Sequence, residues 1–211
     1  MTMKNNSCIQ ILAFEKQEKG KYLLRFDTGI HCHVYGYEIR GMKLEAEEYI
    51  PEEQYRHILK EIVGKRAKKR AMHLLERMDR TEQQLREKLS GSEYPQECID
   101  DAIAYVKQFH YIDDCRYAEN YTRCSKERLS RQQIKQKLMS KGVSKEDIES
   151  ALESEYDADE SAHIRMLLEK KRFSSNCDEG EFRRIYQYIL RRGFRSNDIL
   201  KEMKSFQEPS F

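Results

Sequence analysis

Asp113 and Asp114 stand side by side, and paired carboxylates can hold a divalent metal for phosphodiester cleavage. Neighbouring residues in a helix or turn do not face each other, however, and no second acidic cluster of that kind stands out. They read better as an N-cap and acidic first turn for a helix over Arg116–Lys126. The triplet His31-Cys32-His33 raises zinc, since residues two apart on a strand share a face. Zinc wants four ligands and no second cluster lies at ligand spacing, so surface histidines in a strand are expected. Cys8, Cys32, Cys98, Cys115, Cys124 and Cys177 are scattered without a C-x-x-C pair, which points to free thiols in a reducing cytosol. No Gly-rich phosphate loop is present. The expectation is no catalytic residue, no metal and no cofactor.

What remains is charge. The net charge is only +2 in 211 residues, but 36% of them are charged and the signs are segregated. Lys65 to Arg80 holds seven basic and two acidic residues, whereas Lys145 to Glu160 holds one basic and eight acidic. Three basic sets stand out as candidates for contact with phosphate: Lys65, Arg66, Lys68, Lys69 and Arg70; then Arg116, Arg123, Lys126, Arg128 and Arg131; then Arg183, Arg184, Arg191, Arg192 and Arg195. Singly, each is more simply a solvated helix face; clustering favours a role. Tyr186, Tyr188 and Phe194 lie among the last set, where they would suit stacking on unpaired bases, though core packing explains Tyr186 and Phe194 equally well. The acidic stretch Glu146–Glu160 is expected to face away from nucleic acid or to meet a basic patch on a protein partner.

The elements that carry these residues are mostly helical. Residues 7–40 read as a small antiparallel sheet of about three strands, with a tight turn at Asp27-Thr28-Gly29. Pro51 opens a linking helix over 51–63, with Gly64 weakening it before a second helix begins. From there the chain repeats. Leu89 to Leu138 is 49 residues and Leu138 to Ile189 is 51; Ile99, Ile148 and Ile199 keep the same steps. Each unit carries an apolar pair four apart on a middle helix (Leu85/Leu89, Ile134/Leu138, Ile185/Ile189) and another on a third helix. Gly142 and Gly193 sit where a helix end in the left-handed conformation wants glycine, and Glu93 takes that place in the first unit. Ser144 and Ser196 read as caps of the following helices, and Pro95 as a helix start. The domains are thus 1–50, a small β domain, and 51–211, a helical domain whose three-helix repeats span about 65–110, 111–156 and 157–206. A repeat architecture of this kind is an elongated, curved array and serves as a binding surface.

With the repeat established, the chain resembles the RecX family. The likeness rests on Tyr111-Ile112-Asp113-Asp114-Cys115-Arg116-Tyr117-Ala118, on Leu129-Ser130-Arg131-Gln132-Gln133-Ile134 with Leu138 and Lys141-Gly142-Val143, and on Leu190-Arg191-Arg192-Gly193-Phe194-Arg195-Ser196-Asn197-Asp198-Ile199. The repeats match over Lys65 to Phe206, about two thirds of the chain, and the N-terminal strands resemble an extension that some members carry. The resemblance implies a regulator of homologous recombination and DNA repair in the SOS response. It would bind the RecA filament on single-stranded DNA, and also double-stranded DNA, limiting filament growth and suppressing strand exchange and ATP hydrolysis. A monomer in the cytoplasm is expected. Met1–Asn6 leads into no signal-peptide segment, and no apolar run reaches the roughly 20 residues of a membrane span. The alternatives are a helical DNA-binding transcription regulator, since three-helix units resemble helix-turn-helix folds, and the nuclease on Asp113 and Asp114. On the leading reading, Tyr111, Ile112, Tyr117 and Ala118 pack one repeat on the next.

Overall fold

A computed structural model describes residues 8–157, 159–174 and 176–206; the reading of Met1–Asn6 lies outside them. The chain forms two compact units, Met1–Asp113 and Asp114–Phe211.

In the first unit, β1 (Cys8–Lys16), β2 (Lys21–Phe26), β3 (His31–Tyr35) and β4 (Tyr49–Pro51) make an antiparallel sheet in the order β3-β2-β1-β4. The turn at Asp27-Thr28-Gly29 forms where glycine permits it: Gly29 has φ +79°, and its N–H donates to the Phe26 carbonyl at 3.1 Å. The sequence led us to expect about three strands. The fourth is three residues long and too short to show alternation, and β1 pairs with it through Cys8, Ile9 and Gln10.

Helix α1 (Glu52–His57) follows β4 directly, so Pro51 caps the helix rather than entering it. The weakening expected at Gly64 does not interrupt the helix. A π-helical segment over Ile58–Gly64 runs without interruption into α2 (Lys65–Arg77), with Gly64 and Lys65 both in right-handed helical geometry. The Cys98 thiol donates to the Leu59 carbonyl on this segment at 3.4 Å. Helices α3 (Glu82–Ser90) and α4 (Gln96–Gln108) complete the first repeat. Ile11, Leu24 and Phe26 of the sheet share one core with Ile58, Ala67, Leu85, Leu89, Ile99 and Ile103 of the helices. The boundary drawn near residue 50 therefore runs through a continuous core, because a sheet this small needs helices laid on it.

The second unit holds α5 (Asp114–Ser125), α6 (Arg131–Met139) and α7 (Lys145–Glu155), then α8 (Glu160–Lys170), α9 (Glu179–Leu190) and α10 (Ser196–Ser205). The apolar pairs that define the period occupy equivalent places in all three repeats, and none is more than 3% exposed. Each middle helix is capped by a short polar side chain that accepts from the backbone three residues on: Thr81 from Gln84, Ser130 from Gln133, and Asp178 from Glu181. The first two are capping boxes. Ser144 caps α7 as expected, but Ser196 is the first residue of α10 rather than its cap, and its hydroxyl meets the Tyr186 hydroxyl at 2.9 Å.

The residue closing each middle helix is left-handed in every repeat: Glu93 at φ 61°, Gly142 at 83° and Gly193 at 85°. Gly193 carries a second constraint. A Cβ there would lie 2.8 Å from Gln132 Cβ and 3.2 Å from Ser130 Oγ, because the turn packs on the start of α6. Ser130 Oγ also donates to the Arg192 carbonyl at 2.6 Å. Gly29 has a similar φ with nothing within 4 Å, so Gly29→Ala reads the backbone penalty alone, about 1 kcal/mol. Gly193→Ala is expected to lose at least twice as much because the clash is added. Equal losses in denaturant unfolding would show that the close approach is unimportant.

Candidate nucleic-acid interface

The five basic residues of the first set do different jobs. Arg66 turns inward: its guanidinium pairs with Glu38 at 2.5 Å, donates to the His33 carbonyl, and lies over the Tyr35 and Tyr94 rings at 5.0 and 5.8 Å. Tying α2 to the sheet is therefore its role in the fold, which differs from the outward face expected of it. Lys65 pairs with Glu61 one turn away, and Lys68 Nζ lies 5.7 Å from the centre of the Tyr105 ring. Lys69 and Arg70 are exposed. Arg66→Met is expected to destabilise the protein by about 2 kcal/mol, below the range for a fully buried pair because the site is partly exposed. Lys69→Met should leave the unfolding midpoint unchanged.

The middle set is largely occupied by the acidic stretch that follows it. Arg123 makes a two-pronged pair with Glu155, at 2.8 and 2.6 Å, and Lys126 pairs with Asp157 at 2.5 Å. Arg131 lies 3.6 Å from Glu149, which also pairs with Lys135, and its backbone N–H donates to Glu160 at 3.1 Å. Arg128 donates to the Cys124 carbonyl at 3.4 Å, and Arg116 is exposed. The stretch Glu146–Glu160 thus neutralises its own repeat at several positions, an arrangement neither expected reading included.

Hydrogen bonds from Lys135, Arg123 and Lys126 hold the carboxyls of Glu149, Glu155 and Asp157, respectively, below their ordinary range. Carboxyls depressed in the folded state add stability at neutral pH, and that contribution disappears as pH falls through the carboxylate range. Glu155→Gln/Asp157→Asn is therefore expected to lower the Tm at pH 7, with the gap to the parent shrinking as pH falls below the ordinary carboxylate range. A gap that does not change with pH would assign the effect to packing.

In the third repeat the cations have fewer counter-charges. Arg183 and Arg184 make exposed pairs with Glu179 and Glu181 on their own helix, of a kind that contributes little. Arg191 donates to the Gln187 carbonyl at 3.2 Å, and Arg195 is exposed at the cap of α10. The Arg192 guanidinium lies 4.7 Å from the Tyr188 ring centre, and Lys171 Nζ lies 4.3 Å from it. Lys171 was not among the sequence candidates, since it sits outside the arginine-rich run; its place at the end of α8 is set by the left-handed Arg172 that closes the helix. Phe194 is a core residue at 4% exposure, which separates it from Tyr188.

The joint Tyr111–Ala118 resolves residue by residue. Asp114 opens α5 with Asp113 just before it. Ile112 belongs to the first core and Ala118 to that of the second repeat. Tyr111 is half-exposed near Phe109, while Tyr117 stacks on Tyr121 with Lys141 Nζ over both rings. Ala118 and Tyr117 thus pack within their own repeat. His31 is exposed but His33 is buried, which corrects the reading of both as surface residues. Burial pushes the Cys32 thiol up to about 12 and the Cys98 thiol to about 11, so both stay protonated at neutral pH. Among the described residues no three His, Cys, Asp or Glu side chains gather to hold a metal, and no helix is long and apolar enough to cross a membrane.

Fold and surface together define a protein of tandem three-helix repeats behind a four-stranded sheet, with lysine and arginine on its helices. Family models described as the first and second three-helix domains of RecX match residues 67–105 and 113–152. A regulatory protein RecX from Caldanaerobacter subterraneus subsp. tengcongensis is 31% identical over 196 residues, covering 92% of this chain and 96% of that protein. One from Clostridioides difficile is 31% identical over 199 residues, covering 90% of each. Among solved structures, a regulatory protein RecX superposes with a TM-score of 0.62 at 23% identity over 93% of this chain and 99% of that one. RecX from Lactobacillus salivarius superposes at 0.60 and 24% identity over 68% of this chain and 96% of that one. The chain belongs to the RecX family of regulatory proteins.

Proposed function

We propose that this protein regulates the RecA recombinase by binding its filament on single-stranded DNA, lowering filament growth, strand exchange and ATP hydrolysis without catalysing a reaction itself. The observation that carries the reading is family membership along nearly the whole chain, with relatives described as regulatory proteins. Geometry supports it in two ways. Short helices stacked into repeats present side chains over a broad surface instead of gathering them in a cleft. Exposed lysines and arginines suit phosphates, whose contacts are strong at low salt and indifferent to sequence. A monomer working in the cytoplasm fits this role, with both single- and double-stranded DNA as ligands. ATP hydrolysis then belongs to the recombinase.

Titrating the protein into a DNA-dependent ATPase assay of RecA tests the reading. Hydrolysis is expected to fall at amounts close to one protein per several recombinase subunits, and undiminished hydrolysis at equimolar protein would remove it. In the same tubes, labelled DNA with magnesium or manganese should stay intact.

A further inference from the structure

We infer that the third repeat holds a preformed cradle for a nucleic-acid phosphodiester, built from Lys171, Arg184, Arg191 and Arg192 around Tyr188. The inference deepens the RecA-filament reading and rests on it for the choice of ligand.

Lys171, Arg184 and Arg191, with Tyr188 and Ile185, line a pocket of about 170 Å³, and Arg192 lies outside that lining but against the same Tyr188 ring. Liquid water takes about 30 Å³ per molecule, so a group of several heavy atoms has room there. Among the described residues, Lys171, Arg191 and Arg192 have no carboxylate within ion-pair distance; the one acidic neighbour in a pair is Glu181, 3.3 Å from Arg184. Like charges crowded without counter-charge repel each other, and a bound anion would relieve that repulsion.

The cations are also held in place beforehand. Lys171 and Arg192 both lie over the Tyr188 ring within the 6 Å at which the ring quadrupole attracts a cation. Ser130 Oγ fixes the Arg192 backbone, and the turn at Arg172 fixes Lys171. Long side chains ordered before binding lose less entropy when the ligand arrives. With cations over its ring, Tyr188 acts as a platform for charge and not for a base, so contact falls on the backbone and is blind to sequence. The middle repeat offers the contrast: Arg123 and Lys126 would first have to leave Glu155 and Asp157.

Fluorescence anisotropy of full-length protein on fluorescein-labelled dT25, and on a 25-base-pair duplex, tests the cradle between 50 and 200 mM NaCl. Each phosphate contact on a single strand contributes about 0.7 to the slope of log affinity against log salt. Lys171→Gln/Arg192→Gln is expected to reduce the dT25 slope by about 1.4 and to weaken binding at least about tenfold at 50 mM. Tyr188→Leu should lose part of this and Tyr188→Phe almost none. Arg123→Gln/Lys126→Gln should keep the parent slope. A parallel loss on the duplex would extend the site to both forms of DNA, and loss on dT25 alone would restrict it to the single strand.

An unchanged dT25 slope in the Lys171/Arg192 variant, with a parental Tm, overturns the cradle. So does an equal loss in the Arg123/Lys126 variant. If DNA binding is intact but more Lys171/Arg192 variant is needed in the RecA ATPase assay, the patch meets protein and the cradle is wrong while the recombinase reading stands. Conversely, a parent protein that leaves RecA unaffected removes that reading, and the salt slopes still judge the cradle.

Discussion

Short helices that cannot stand alone are the constraint on which this structure depends. The middle helices α3 and α6 are nine residues each, below the length at which an isolated helix is stable in water. Each survives because an apolar pair four residues apart on one face meets the matching pair of the next helix, and because both ends are closed. Thr81, Ser130 and Asp178 satisfy backbone N–H groups at the start, while Glu93, Gly142 and Gly193 turn the chain left-handed at the finish. That turn aims the third helix back across the middle one. In the first repeat a glutamate accepts the strain of about 1 kcal/mol, and in the third the close approach to Gln132 leaves room only for glycine.

Charge is distributed by the same folding logic, and its position along the sequence is a poor guide to its job. The basic run after Gly64 contains one arginine that locks the sheet to α2 and others that stand in solvent. The acidic run after Lys145 folds back on α5 and α6, where Glu149, Glu155 and Asp157 answer Arg131, Lys135, Arg123 and Lys126. Among the described residues, Lys171, Arg191 and Arg192 of the third repeat have no carboxylate partner, and neither do Lys68, Lys69 and Arg70 of the first. Tyrosine stands in for a carboxylate at Lys171 and Arg192, over Tyr188, and at Lys68, over Tyr105.

Much of the fold is legible in the sequence where the signal is local. Apolar pairs four apart, a glycine four residues past a helix and a polar residue ahead of the next one are short-range features, and their recurrence about every 50 residues exposes the repeat. Thr81-x-x-Gln84 and Ser130-x-x-Gln133 carried a readable capping-box signal as well. What escaped was set by distant partners. β4 is three residues supported by β1, the helix persists through Gly64 because tertiary packing overrides propensity, and Arg66 meets Glu38 across 28 residues. The pairs of Arg123 and Lys126 span 32 and 31 residues, and Lys171 meets Tyr188 only after α9 has folded back toward α8.

Regulation by binding to a recombinase filament can be watched on fluorescent RecA extending along single-stranded DNA. Extension is expected to slow in proportion to added protein, which remains on the filament while the DNA stays uncut. Filaments that lengthen at the parental rate with saturating protein present would contradict it.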